Sequence, residues 1–277
     1  MSRDAPDPQG FVLALRPALI EAAKLARRLE GTVSNAPKGG ETTAVKQALT
    51  EADLATQEIL LTALAACQPT VRLEAEEDTP TVGVFPSESD DLVIIDPIDG
   101  TLHSYLSGKG PYGIMMGLAH RGLYRAGLVA LPREGLFFDA ASGKGASRTR
   151  MGGPPRPVGM SATGDPVLVS HGTPPEVVRV LEQEGLSVRY GCGGAVSVAP
   201  LIPGVRAGLR FSSSALGVSV RGRIGVLIAR EAGACVTQAG GGEFPRDVDT
   251  PAKSLLVARS SREAEGLTQL LVQAGFG

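Results

Sequence analysis

Tryptophan is absent from this chain of 277 residues, which has only seven Phe and four Tyr. Aliphatic side chains and alanine must therefore fill the core, and a 43% hydrophobic content suffices for a substantial one. Charge of one sign is also lacking. A formal balance of −2 leaves no general footprint for nucleic acid or a membrane surface. The three cysteines, Cys67, Cys192 and Cys235, are far apart and include no C-x-x-C pair. They read as reduced, mostly buried thiols of a cytoplasmic protein. No apolar run is long enough to span a membrane, and the start Met-Ser-Arg-Asp-Ala-Pro-Asp has no apolar signal-peptide core.

The length allows one large domain or two small ones. Over 11–30, Val12, Leu15, Leu19, Ala22, Ala26 and Leu29 form a helical stripe. Pro17 either kinks that helix or marks its real start. Residues 35–43, with Pro37, Lys38 and two glycines, predict a flexible loop. Thr50-Glu-Ala-Asp53 predicts a capping box opening a helix to about Cys67. Strands are expected at 71–74 and 92–95, then at 112–119, 123–130 and 135–139 as an antiparallel meander. The Gly/Pro/Arg-rich stretch 142–159 divides an α+β half, 1–150, from an α/β half, 151–277. The second half alternates: a strand near 166–170, a helix near 175–184, a turn at Gly191-Cys-Gly-Gly194, and a helix near 222–232. Strands near 234–238 and 254–258 and a helix from Ser261 complete the α/β layering.

One stretch concentrates the chemistry: Asp91-Leu-Val-Ile-Ile-Asp96-Pro-Ile-Asp99-Gly-Thr101. Leu92 to Ile95 has the length and β-branching of a buried strand. Pro97 biases Asp96 away from the helical region, and Gly100 permits a tight turn. If a helical turn follows, its free N–H groups at Gly100 and Thr101 can hold an anion. Asp-Pro and Asp-Gly pairs also suit a plain turn. Two carboxylates crowded at a strand end need a counter-charge, and a divalent metal under a phosphate supplies one. An acidic cluster, Glu74-Ala-Glu76-Glu77-Asp78, lies shortly upstream.

With that cluster, Asp96-Pro-Ile-Asp-Gly-Thr101 resembles the signature of the inositol monophosphatase superfamily. Gly122 to Ala146 is similar to the family's hairpin region, and Arg223 to Gly233 to the helix of its second motif. The resemblance implies a layered α-β-α-β-α sandwich of the fructose-1,6-bisphosphatase-like kind, with the site between the halves. It also implies a homodimer acting on a small phosphorylated metabolite, with no nucleic-acid or membrane partner. Its cofactor would be Mg2+, held by Glu76, Asp96, the Ile98 carbonyl and Asp99, with Asp96 bridging two ions. Asp53 and Thr101 would orient the attacking water. Gly193-Gly194-Ala195 falls where the family directs backbone N–H groups at substrate hydroxyls, though a plain glycine turn fits equally.

The chain departs from the pattern at three places. Counting back from Glu231-Ala-Gly233, the family's Trp-Asp falls on Val220-Arg221. An arginine cannot ligate a cation. Its two-unit charge change equals one Mg2+, so Arg221 is expected over the second ion's position, paired with Asp99 or Asp96 or gripping phosphate. Leu102-His103 follows Thr101 where a polar residue and Asn are usual, and His103 reads as a general acid, a phosphate contact or a loop residue. Ser214 falls near the position of a sugar-binding Glu, which argues against inositol phosphate. The reading is a Mg2+-dependent phosphomonoesterase with an altered second metal site, on a sugar, inositol or nucleotide phosphate. The alternatives are a pseudo-phosphatase that binds a ligand or partner, and a diverged member with another reaction.

Overall fold

The computed structural model describes residues 6–39, 43–47 and 49–276. Helix α1 (Pro8–Leu29) starts where the Asp7 side chain accepts from the Gln9 N–H at 3.0 Å. Pro17 lies inside this helix on its exposed side, so the true start is Pro8. A short α2 (Ala44–Gln47) follows the loop, whose residues 40–42 lie outside the described residues. Helix α3 (Glu51–Cys67) opens with the expected capping box: Thr50 and Asp53 satisfy each other's backbone N–H groups.

Seven strands form the first sheet in sequence order: β1 (Arg72–Glu74), β2 (Asp91–Asp99), β3 (Gly113–His120), β4 (Leu123–Leu131), β5 (Leu136–Ala141), β6 (Ala146–Arg150) and β7 (Arg156–Pro157). All neighbours are antiparallel except β1 and β2. The two last strands fall in the Gly/Pro/Arg-rich stretch. A second sheet, ordered β11-β12-β10-β8-β9, follows from β8 (Val167–Ser170), α4 (Pro175–Gln183), β9 (Val188–Gly191), α5 (Gly193–Ser197), β10 (Ala207–Phe211), α6 (Ile224–Glu231), β11 (Cys235–Thr237), β12 (Ser254–Ala258) and α7 (Ser261–Gln273).

Strand alternation explains the layers. Val93 and Ile95 join Met116, Leu118 and Phe137 under α1 and α3, whereas Ile94 joins Met115, Val129 and Phe138 under α5 and α6. The other side of the second sheet packs Val167, Val169 and Leu209 on α4 and α7. The result is the expected α-β-α-β-α sandwich. Burial of each large apolar side chain contributes roughly 1.5–3 kcal/mol. Close approach replaces aromatic bulk in the central layer. A Cβ on Gly117 would stand 2.9 Å from Ile224 Cγ1, and one on Gly127 2.9 Å from the Ile224 carbonyl oxygen. Cys192 is buried and Cys235 half-buried, but Cys67 is exposed at the end of α3, against the expectation of mostly buried thiols. Among the described residues no helix is long and apolar enough to cross a membrane.

Candidate active site

Residues three apart on a regular strand point to opposite faces. Here the pairing slips: Asp96 opposes Met115 while Asp99 opposes Gly113, with Pro97 and Ile98 in the irregularity. Such a bulge re-aims side chains and brings both carboxylates to one side. Gly100 then takes a left-handed conformation, φ +89°. A wide helical turn, Thr101–Tyr105, follows, with the Tyr105 N–H donating to the Gly100 carbonyl at 3.1 Å.

Thr101 Oγ1 lies 2.7 Å from the Ile98 carbonyl oxygen and 3.0 Å from Asp53 Oδ1, and its single proton serves one of them at a time. The other Asp53 oxygen accepts from the Thr50 N–H at 2.8 Å and the Thr50 hydroxyl at 2.6 Å. Cap and site are thus one carboxylate. Burial pushes the Asp53 carboxyl above its ordinary range, against these hydrogen bonds.

Asp96 is buried, and its Oδ1 has no hydrogen-bond partner. Burial, then the negative charges of Glu76 and Asp99, raise its carboxyl well above the ordinary range. Arg221 opposes that rise: its Nε is 3.5 Å from Asp96 Oδ2 and its Nη2 3.5 Å from Glu76 Oε1. Burial works against the Arg221 charge, but Glu76 and Asp96 outweigh it and hold the guanidinium more firmly protonated. Of the two expected partners the arginine thus takes Asp96, adds Glu76, and leaves Asp99. Asp99 Oδ2 instead accepts from the Gly194 N–H at 2.5 Å. The Ala195 N–H points at the Cys192 sulfur, 3.4 Å away. Both donors that the resemblance aims at substrate therefore have acceptors within the chain.

Glu77 is buried, ion-paired to Lys38 at 2.6 Å, and its backbone is held by Gln57 of α3 through both N–H and carbonyl. Burial raises its carboxyl, against the pull of Lys38. Asp78 faces solvent. Ser214 sits in an exposed loop whose carbonyl accepts from Lys253 Nζ.

Lys38, His171, Tyr190 and Arg210 carry no signal of a site role in the sequence, whereas His103 stands out by its place after Thr101. Lys38 ties the loop to the acidic cluster. His103 stacks on His171, ring centroids 4.7 Å apart, and His171 on Tyr190 at 5.2 Å. Arg210 projects from β10 between Gly193 and Gly222, where a methyl group on either glycine would collide with its Nη1. A lone arginine in a strand or a histidine after one has no local pattern to betray it.

Among the described residues no three His, Cys, Asp or Glu side chains converge as a ready-made metal cage. Mg2+ does not need one, since one or two carboxylates with waters and phosphate oxygens suffice. Glu76, the unpartnered Asp96 Oδ1 and the Ile98 carbonyl are hard oxygen donors that fit one such ion. A second ion does not fit where Arg221 brings its own positive charge.

Comparison with known proteins agrees with this fold. A structure of a Bartonella henselae extragenic suppressor protein, suhB, superposes with TM-score 0.75 at 19% identity, covering 95% of this chain and 98% of that one. An IMPase of Thermotoga maritima gives 0.73 at 19%, covering 96% and 100%. Mycobacterium tuberculosis SuhB gives 0.69 at 21%, covering 99% and 100%. Such identities speak for the fold. A histidinol-phosphatase of Chlorobaculum parvum is 35% identical over 98 residues, 35% of this chain, and the match spans about a third, 36%, of that protein's length. The profile described as the inositol monophosphatase family matches residues 12–182, more than half of the chain. The protein belongs to the inositol monophosphatase family.

Proposed function

We propose that the protein is a phosphomonoesterase that uses Mg2+ to hydrolyse a small phosphorylated metabolite. The observation that carries this reading is the buried Asp96, with one oxygen unpartnered, beside Glu76 and the Thr101–Asp53 pair. Glu76, Asp96 and the Ile98 carbonyl would hold the ion. When bound, Mg2+ acidifies a water and draws charge from the phosphate. Asp53 fixes the Thr101 hydroxyl, which presents a proton acceptor or donor to the attacking water. The left-handed Gly100 starts a turn whose leading N–H groups suit phosphate oxygens. Arg221 supplies a fixed cation in place of a second metal ion, with guanidinium N–H groups suited to the same oxygens. The family resemblance supports a homodimer and cysteine usage a cytoplasmic location.

The Arg221 ion pairs also favour a second reading, a binding protein without turnover, because the arginine already balances part of the site's negative charge. One experiment separates the two. Phosphate release is measured on sugar, inositol, nucleotide and histidinol monophosphates, with Mg2+ and with EDTA. The enzyme reading expects release that needs Mg2+ and is lost in Asp96→Asn. No release by folded protein on any substrate moves the assignment to the binding protein.

A further inference from the structure

We propose that Arg210 reads a second anionic group on the substrate, so that the preferred compound is a phosphomonoester whose organic part also carries a carboxylate or another phosphate. This rests on the phosphomonoesterase reading for the site but on a different observation. Arg210 is half-buried and, among the described residues, its guanidinium has no hydrogen-bond or ion-pair partner. Other half-buried arginines here are satisfied: Arg16 by Asp139, Arg133 by Glu30, and Arg221 by Glu76 and Asp96.

The side chain is nonetheless held in place. Its Nη1 lies against the backbone of Gly193 on one side and Gly222 on the other, and a Cβ at either glycine would displace it from this place. Asp99 Oδ2 lies 3.5 Å from where a Gly193 Cβ would sit, so the guanidinium borders the cleft beside Asp99. Asp99 does not neutralise it. That carboxylate takes the Gly194 N–H and forms no ion pair with Arg210 among the described residues. A positioned guanidinium with free N–H groups presents the planar donor fork that carboxylates and phosphates match.

Topology supports the placement. Strands β10, β8 and β9 are parallel neighbours, and Arg210 stands near the carboxyl end of β10. Crevices at the carboxyl ends of parallel strands are where ligands bind in open α/β sheets. His171, just past the end of β8, and Tyr190, near the end of β9, line the same edge. The phosphate to be cleaved belongs at Asp96 and Thr101 with Arg221, which leaves Arg210 for the rest of the molecule.

The test uses matched pairs: 2-phosphoglycerate against glycerol 2-phosphate, and glucose 1,6-bisphosphate against glucose 1-phosphate. Affinities are measured by calorimetry in EDTA, and kcat/KM for phosphate release in Mg2+. Wild-type protein is expected to favour the member with the extra anion by about tenfold or more. Arg210→Gln should erase most of that preference, and Arg210→Lys should keep part of it. Equal affinity for the two members in the wild type overturns the proposal, and this needs no variant to fold. A preference untouched in folded Arg210→Gln overturns it too, as does an equal loss for both members, which would put Arg210 on the scissile phosphate. If no compound is hydrolysed, the phosphomonoesterase reading fails, while the affinity ratio still decides Arg210.

Discussion

The two sides of the cleft differ in how closely they keep the family's pattern. The side built by α3, β1 and β2 supplies Asp53, Glu76, Asp96, Ile98 and Thr101, all at the positions the resemblance assigns. The side built by β10 and the turn before α6 supplies Arg210, and there Ser214 and Arg221 depart from the pattern. The match to the family profile, residues 12–182, ends before all three. The difference teaches a division of labour. On the proposed function, most phosphate-handling residues lie on one strand-turn-helix unit, and the other side adds Arg221 to the phosphate and Arg210 to the remainder of the substrate.

The strongest break in that division should come from Asp96→Asn. It is expected to lower Mg2+-dependent turnover by about 10²–10³-fold, the scale of losing one charge-stabilising group. Circular dichroism and phosphate release on the same sample check that fold and activity separate. Arg221→Asp probes the opposite side. Restoring a carboxylate should raise turnover and steepen its dependence on Mg2+ concentration, and an unchanged or lower rate would remove Arg221 from the second-ion position.

Smaller effects sharpen the contrast through stability. Arg221→Ala leaves Glu76 and Asp96 without their cation. Because Arg221 is 30% exposed, the loss should be about 1–2 kcal/mol, less than for a fully buried pair, and is read from urea unfolding. In the second half, Glu263 holds both Arg206 and Arg259. Despite burial, which acts to raise it, Arg259 and then Arg206 hold the Glu263 carboxyl below its ordinary 4.5. A depressed folded value means stability present above the unfolded value and lost as pH falls through the folded one. Glu263→Gln should therefore cost about 1 kcal/mol near neutral pH, and the gap to wild type should close as pH falls below the ordinary glutamate value of 4.5 and on through the lower folded one. Thermal midpoints across that range check the sign. Smallest of all is Ser214→Glu. In an exposed loop it should leave stability unchanged and improve inositol 1-phosphate turnover by no more than a few-fold, measured as kcat/KM.

Features with a local cause were legible in advance. The Thr50–Asp53 box, the strand ending in Asp96, the left-handed Gly100 and the β3–β5 meander each follow from neighbouring residues. Arg221 was legible by its offset from Glu231, with Asp99 or Asp96 as its expected partner, and the structure takes Asp96. Its pairing with Glu76 was not, because nothing in the chain says which carboxylate the second half meets. The clamp of Gln57 on Glu77, the reach of Lys38 and the lodging of Arg210 between two glycines all join residues far apart in sequence. Periodicity cannot encode such meetings. Of the two readings of Pro17, the real helix start fails, because a proline on an exposed helical face with tertiary support does not end a helix. Cys67 misled because general thiol burial yields to position at a helix end.

Asp53 has a consequence for how the protein fails. The same carboxylate that closes the first turn of α3 also holds the Thr101 hydroxyl. Fraying of that turn, a small event on the scale of global unfolding, would release Thr101 at once. Activity should fade on heating before the sheets melt, and hydrogen exchange at the Ala52 and Asp53 amides should report the loss. On the proposed function, the health of one helix end doubles as a gauge of catalytic readiness.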